Sequence, residues 1–205
     1  YYVNRDFSNK LPFKNGGSVN IDREFYGFGA QYEFGESLSD RLSLVMGVDF
    51  DRQDDDRKRF NNDLGKIGSL TFDQNEKVNS NGLFLQSRYE LGSWSISSGL
   101  RYDEVKFDIS DRFLSNGDDS GEIKFDAVSP SIGLNYNLEN GSVFLTMNSS
   151  FETPTTTELA NPDNSGGFNA SLKPQKANNI ELGYKYAMDR LYYEVAIFDI
   201  DLQDE

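Results

Sequence analysis

The sequence predicts an all-β protein, an antiparallel up-and-down transmembrane β-barrel of which about eight strands are present. Three observations lead there. Side-chain polarity alternates with a period of two along much of the 205-residue chain, the signature of strands whose faces meet different surroundings. Aromatic residues make up 14% of a chain that also carries 26% charged residues, as when rings face lipid while the other face of each strand is wet. The connections alternate short and long, the pattern of barrels with tight periplasmic turns and long outside loops.

The first clean alternation runs from Arg23 to Phe34: Tyr26, Phe28, Ala30, Tyr32 and Phe34 oppose Arg23, Gly27, Gly29, Gln31 and Glu33. Residues 35–41, GESLSDR, turn the chain. Leu42, Leu44, Met46, Val48 and Phe50 then alternate with Ser43, Val45, Gly47 and Asp49, completing a hairpin with one apolar face. Residues 52–79 are rich in Asp, Asn, Lys and Gly with little periodicity, and read as a long exposed loop. In the third strand Leu83, Leu85, Tyr89 and Leu91 oppose Phe84, Gln86, Arg88 and Glu90, and a tight turn follows at Gly92 and Ser93.

In the fourth strand Trp94, Ile96, Leu100 and Tyr102 alternate with Ser95, Ser97, Gly99, Arg101 and Asp103. It runs on through Val105, Phe107 and Ile109 with a phase slip near Glu104, as a bulge would cause. A second loop spans residues 110–122. The fifth strand sets Val128, Ile132, Leu134, Tyr136 and Leu138 against Ser131, Gly133, Asn135 and Asn137. Pro130 cannot donate to a ladder and belongs near the strand's start or at an irregularity. After the short turn ENGS, Val143, Leu145, Met147 and Phe151 oppose Phe144, Thr146, Asn148 and Ser150. A third long loop covers residues 152–177, a strand 178–186, a turn Met188 and Asp189, and a last strand LYYEVAIFDIDL has ambiguous facing at Ile197 and Phe198.

Periodicity alone leaves a soluble sandwich open, because its polar face would simply lie outside. Loop parity separates the two, since Greek-key crossings would scatter loop lengths. No stretch approaches the roughly 20 consecutive apolar residues of a spanning helix. The N-terminus lacks both Met and the pattern of a secretory signal, so the chain reads as an excised piece.

Composition narrows function further. The chain has no Cys and no His, which leaves no disulfide framework, thiolate metal site or serine triad of the usual form. No cofactor is expected. A net charge of −14 disfavours a nucleic-acid partner, whose phosphates are bound chiefly through Lys and Arg. Asp49, Asp51, Asp54, Asp55 and Asp56 lie close together but lack the calcium-loop Gly and Glu, and DRQDDDRKR reads as a solvated, self-paired loop. Asp118, Asp119 and Glu122 are less compensated, and divalent ions shared with lipopolysaccharide are the candidate ligands there. Arg88 and Arg101 point inward as possible lumen contacts for an anionic chelate; the competing reading pairs them with Glu90 and Asp103.

The motifs lie late in the chain: SPSIGLNY at 129–136, FETPTTTEL at 151–159 and LKPQKANNIELGYK at 172–185. In order and spacing, Phe151, Pro154, Thr155, Glu158, Leu159, Leu172, Lys173, Pro174, Glu181, Leu182, Gly183 and Lys185 resemble the barrel of TonB-dependent outer-membrane receptors of the siderophore or iron-complex type. Gln175 departs from the Glu usual there. The resemblance is sharp over residues 126–205 and architectural before that. It implies that residues 1–205 are a partial barrel domain of a receptor with about 22 strands, without its plug. It also implies a bacterial outer-membrane location and lipid and lipopolysaccharide as neighbours. The implied ligand is an imported iron chelate such as a ferric siderophore, with energy from TonB through the absent plug and no enzymatic activity.

Read as architecture, Pro154 and Pro174 restrict the chain where the loop leaves and re-enters the sheet, Gly183 permits close approach, and Glu181 and Lys185 are placed to pair across strands. The rivals are a complete eight-stranded barrel with a structural or adhesion role, in which first and last strands pair, and a lipid-acting barrel enzyme, which would need a Ser or His constellation.

Overall fold

A chain that alternates apolar and polar side chains, broken by two-residue turns, pairs most simply with its own next segment, and this one does so throughout. In the computed structural model the described residues are 1–13, 17–159, 167–188 and 190–204, with the backbone alone described for 35–39. Among them are β1 (Tyr2–Lys10), β2 (Gly17–Ser39), β3 (Leu42–Asp63), β4 (Lys66–Leu91), β5 (Trp94–Asp111), β6 (Gly121–Leu138), β7 (Gly141–Glu152), a single helical turn α1 (Thr156–Leu159), β8 (Gln175–Met188) and β9 (Leu191–Gln203). They form one sheet in the order β1 to β9, every neighbouring pair antiparallel.

β1 and β9 are its two edges, so the closed eight-stranded barrel is overturned. Among the described residues the strands number nine, because β1 joins the eight expected. Its outward residues Asn4, Asp6, Ser8 and Lys10 are polar, so no apolar alternation announces it.

One face carries a belt of apolar residues exposed in this sheet: Phe28 and Tyr32 on β2, Val48 on β3, Leu85 on β4, Leu100 on β5, Ile132 on β6, Leu182 on β8 and Ile197 on β9. Register puts Ile197 beside Leu182, so Ile197 belongs to the belt and Phe198, beside Glu181, faces inward. Near the short turns the belt ends in rings, with Trp94 on Tyr136 at 4.8 Å between centroids and Tyr186 on Tyr193 at 5.1 Å. These are the aromatic girdle positions of a membrane barrel.

At the other margin the belt stops abruptly without any change of register. On β5, Tyr102 is followed on the same face by Glu104, Lys106 and Asp108, while the inner face passes from Arg101 and Asp103 to the buried Phe107 and Ile109. Pairing through Glu104 is continuous with both β4 and β6, so the expected bulge is absent. What inverts is the surroundings: outside the bilayer the outward face meets water and the inner face becomes a core.

The same inversion explains why residues 52–79 are strand rather than loop. β3 and β4 continue past the belt to a two-residue turn at Leu64 and Gly65, whose positive φ of 51° and 88° suits a tight hairpin. Both faces of β3 are polar there up to Arg59, and on the inner face of β4 Phe72 and Val78 are separated by Gln74 and Glu76, so hydropathy no longer alternates. Residues 52–63 reach roughly 40 Å beyond the belt at about 3.4 Å per residue. The remaining long connections are 112–120 and 153–174.

At the periplasmic margin β2 runs on to Ser39, with a register shift between Phe34 and Ser39, leaving Asp40 and Arg41 as the turn. The last expected turn includes Asp189, which lies outside the described residues. Pro130 sits inside β6, one residue beyond Ser131, where the β6–β7 ladder ends; the strand loses that neighbour where it has no N–H to offer.

The core sits on the inner face outside the membrane. Phe107, Ile109, Phe125 and Leu159 are buried there, with Val78, Val105, Ile123, Phe168 and Leu172 against them. Leu159, Phe168 and Leu172 come from the 153–174 connection and pack inward over the sheet.

Candidate functional site

The PTTTEL stretch builds its helical turn from local chemistry. Thr155 is the N-cap: its hydroxyl accepts from the Glu158 amide at 3.3 Å, and the Glu158 carboxylate accepts from the Thr155 amide at 2.7 Å and hydroxyl at 2.9 Å. This is a capping box, with Pro154 preceding the cap. The Thr155 donors hold the Glu158 carboxyl below its usual range, so the cap's contribution is present above the ordinary Glu pKa and is lost as pH falls through the depressed value. Leu159 ends the turn fully buried, at 0% exposure.

The turn is seated on β3 and β4. The Thr156 hydroxyl donates to Glu76 at 2.7 Å, and the Arg57 guanidinium donates to the Thr157 hydroxyl at 2.7 Å while pairing with Glu76 at 3.1 Å. Burial pushes the Glu76 carboxyl above the ordinary carboxylate range, opposed by Arg57 and the Thr156 hydroxyl. Along the same row Asp55, at 0% exposure, receives Arg23 through two hydrogen bonds of 2.8 and 2.5 Å and Gln53 at 3.0 Å. Sequence reasoning missed Arg23, Asp55, Arg57 and Glu76 as a group. Their signal is period-two spacing within a segment charged on both faces, which a hydropathy scan flattens.

The acidic stretch is therefore paired across strands rather than within a loop: Arg112 reaches Asp56 at 2.8 Å and Lys77 reaches Asp54 at 4.0 Å. Asp49 pairs with Arg101, and Asp51 accepts from the Tyr1 hydroxyl. Glu122 pairs with Lys106 at 2.9 Å, Asp118 accepts from the Ser120 amide, and Asp119 accepts from the Gly167 amide. Among the described residues no three carboxylates gather as a metal site.

Two inner-face arginines stand apart. Arg5 lies over the Phe7 ring at 5.4 Å and Arg59 over Phe72 at 4.8 Å, and neither is ion-paired among the described residues. With Arg23 and Arg57 they put four guanidinium groups on the inner wall above the belt, against the buried carboxylates Asp55 and Glu76. Lower down, the wall is a groove lined by Ser43, Gln86, Ser97, Ser131, Thr146 and Asn148. Arg88 and Arg101 face this wall, Arg88 on Glu90 at 2.6 Å and Arg101 between Asp103 at 2.7 Å and Asp49 at 2.8 Å.

The other motif residues shape the wall. Lys185 pairs across strands with Glu194 of β9 at 3.4 Å and lies over the Phe144 ring. Pro174 immediately precedes β8, which Gln175 opens. Lys173 reaches Asp204 at 3.4 Å. Gly183 sits opposite Phe144, whose ring occupies the place a Cβ at Gly183 would take. Gly183→Val is expected to lift that ring off the wall and lower stability by about 1–3 kcal/mol, read by denaturant titration in micelles; Phe144→Ala together with Gly183→Val should recover part of the loss.

A lipid-facing belt bounded by rings, a hydrophilic inner wall and long strands projecting on one side define the class: a length of outer-membrane β-barrel wall. The family profile of TonB dependent receptor-like β-barrels matches residues 1–205, and the chain belongs to that family. Its members are outer-membrane transporters rather than enzymes.

Three solved structures share the fold, each at 17% identity. The copper transporter OprC superposes with a TM-score of 0.76 over 100% of this chain and 34% of its own. The ferric citrate transporter FecA, unliganded, gives 0.73 over 98% and 30%. The ferric yersiniabactin uptake receptor FyuA from Yersinia pestis gives 0.73 over 100% and 32%. The chain spans about a third of the length of these structures.

Proposed function

We propose that the chain walls the import channel of a receptor that takes up an iron chelate, such as a ferric siderophore, energised by TonB through a plug. The observation that carries this is the pair Arg5 and Arg59, inner-face guanidinium groups stacked on rings and in no direct ion pair among the described residues, with Glu76 acting on Arg59 only at longer range. In a chain of net charge −14 that is a local reversal of sign. It suits an anionic chelate with flat aromatic or carboxylate arms, which guanidinium groups bind by forked hydrogen bonds and stacking. Arg88 and Arg101, each already paired, are placed to pass such an anion along the wall. Lipid and lipopolysaccharide would cover the belt and the charged margin above it.

Bare copper ion suits this stretch less well. The chain has no His or Cys, and its methionines Met46, Met147 and Met188 all fall on the lipid-facing register, so the inner wall offers no soft ligand.

The test is uptake of radiolabelled ferric siderophores and of copper ion by cells carrying the wild-type protein or Arg5→Ala with Arg59→Ala. One ferric chelate should be taken up saturably, with about tenfold weaker binding in the double variant, and a protonophore should stop uptake but not binding. Saturable uptake of copper ion in place of any chelate would contradict the reading.

A further inference from the structure

We propose that α1 is a latch that fastens the β7–β8 connection to the projecting β3–β4 hairpin, with Leu159 seated in the buried cluster and Thr156 and Thr157 caught on Glu76 and Arg57. A helix of four residues has no stability of its own in water. α1 therefore owes its existence to its cap and to what it sits on. The seat lies across the sheet from its own strands: from β7 the chain crosses β6 and β5 to reach β4 and β3, roughly 15–20 Å at strand spacing.

The forces across the junction are opposed. Leu159 is wholly buried and Thr156 nearly so, which favours docking. Against it, docking holds the Arg57–Glu76 pair away from water, and the Arg57 Nε and the neighbouring Gln74 Nε2 are buried without a hydrogen-bond partner. The contacts this turn makes with β3 and β4 are few and opposed by buried polar groups, so they make and break together, while Phe168 and Leu172 hold the rest of the connection on the cluster.

The charge state of Glu76 sets the balance. Facing it are Arg57, Arg59 and Asp55 of β3, with Thr156 of α1; Arg23 of β2 reaches it through Asp55, and Asp111 of β5 lies one row further out. Burial raises its pKa in the docked state, so docking takes up protons. Docking strengthens as pH falls through that raised value and weakens as pH rises through it. This proposal concerns the loop alone and stands whichever ligand the protein carries.

The test is hydrogen exchange with mass spectrometry on the protein in micelles, corrected for the intrinsic pH dependence of exchange. The informative amides are Glu158, Leu159 and Asn169, hydrogen-bonded within the junction to the Thr155 and Leu159 carbonyls. Leu159→Ala should speed their exchange at least about thirtyfold and Thr156→Val about threefold to tenfold, with the amides of β5 and β6 changed less than about threefold. Glu76→Gln should remove the pH dependence seen in the wild type. Unchanged exchange at these amides in Leu159→Ala overturns the latch. Equal acceleration through β5 and β6 overturns it too, because the turn would then be part of one indivisible core.

Discussion

Arginine in place of Ile132 will cost the inserted protein about 2–4 kcal/mol, whereas arginine in place of Asp126, on the same face of the same strand, will cost about 0–1 kcal/mol. Ile132 is 46% exposed in the middle of the belt on β6, paired with Ser98 and Met147. A residue that open to water would tolerate a charge within about 0.5 kcal/mol. Surrounded by hydrocarbon it cannot, because the guanidinium has no partner at that depth. Asp126 lies beyond the belt beside Glu104 and already carries charge. Refolding equilibria into lipid vesicles measure both variants. Equal small effects would mean that the belt meets water, and the membrane assignment would fall.

The second large effect lies outside the membrane. Arg23→Ala is expected to cost about 3–5 kcal/mol, because it leaves the Asp55 carboxylate, at 0% exposure, buried without its cation. Arg23 itself is a third exposed, which moves the expectation to the lower end of that range. Asp55→Asn should cost less, since an amide still accepts from Arg23 and Gln53. Replacing both by apolar residues of similar volume, Arg23→Met with Asp55→Leu, should come close to the wild type. Equilibrium denaturation gives the totals, and proteolysis of the β3–β4 hairpin shows whether the loss is local. Equal losses for Arg23→Ala and the double variant would remove the argument from an uncompensated charge.

The contrast between these two regions also explains what could be read from the residues. Within the bilayer each strand has one apolar and one polar face, so Leu42 to Phe50 or Trp94 to Tyr102 announces itself by alternation. Outside it the alternation inverts on β5, where Tyr102 gives way to Glu104 and Arg101 to Phe107, and inversion without a register change looks like a slip of phase. On β3, Arg52, Asp54, Asp56 and Lys58 face out while Asp55 and Arg57 face in, so hydropathy is flat and strand reads as loop. The motif residues were legible by order and spacing. The physical reason for Thr155, Glu158 and Leu159, a capped turn with a buried end, needed the partners on β3 and β4 that no local pattern shows.

The lipid-facing belt ends at one level across the sheet, and side-chain surroundings invert there. Residues 1–205 contain no cysteine, so each introduced cysteine is single within this stretch, and the protein without it supplies the background. The decisive measurement is labelling of intact cells with a membrane-impermeant maleimide, with cysteine placed in turn at the outward positions 104, 106 and 126 and at 48, 100, 132 and 182. The first set should react and the second should not until the membrane is dissolved. Equal labelling of both sets would contradict a membrane boundary at that level.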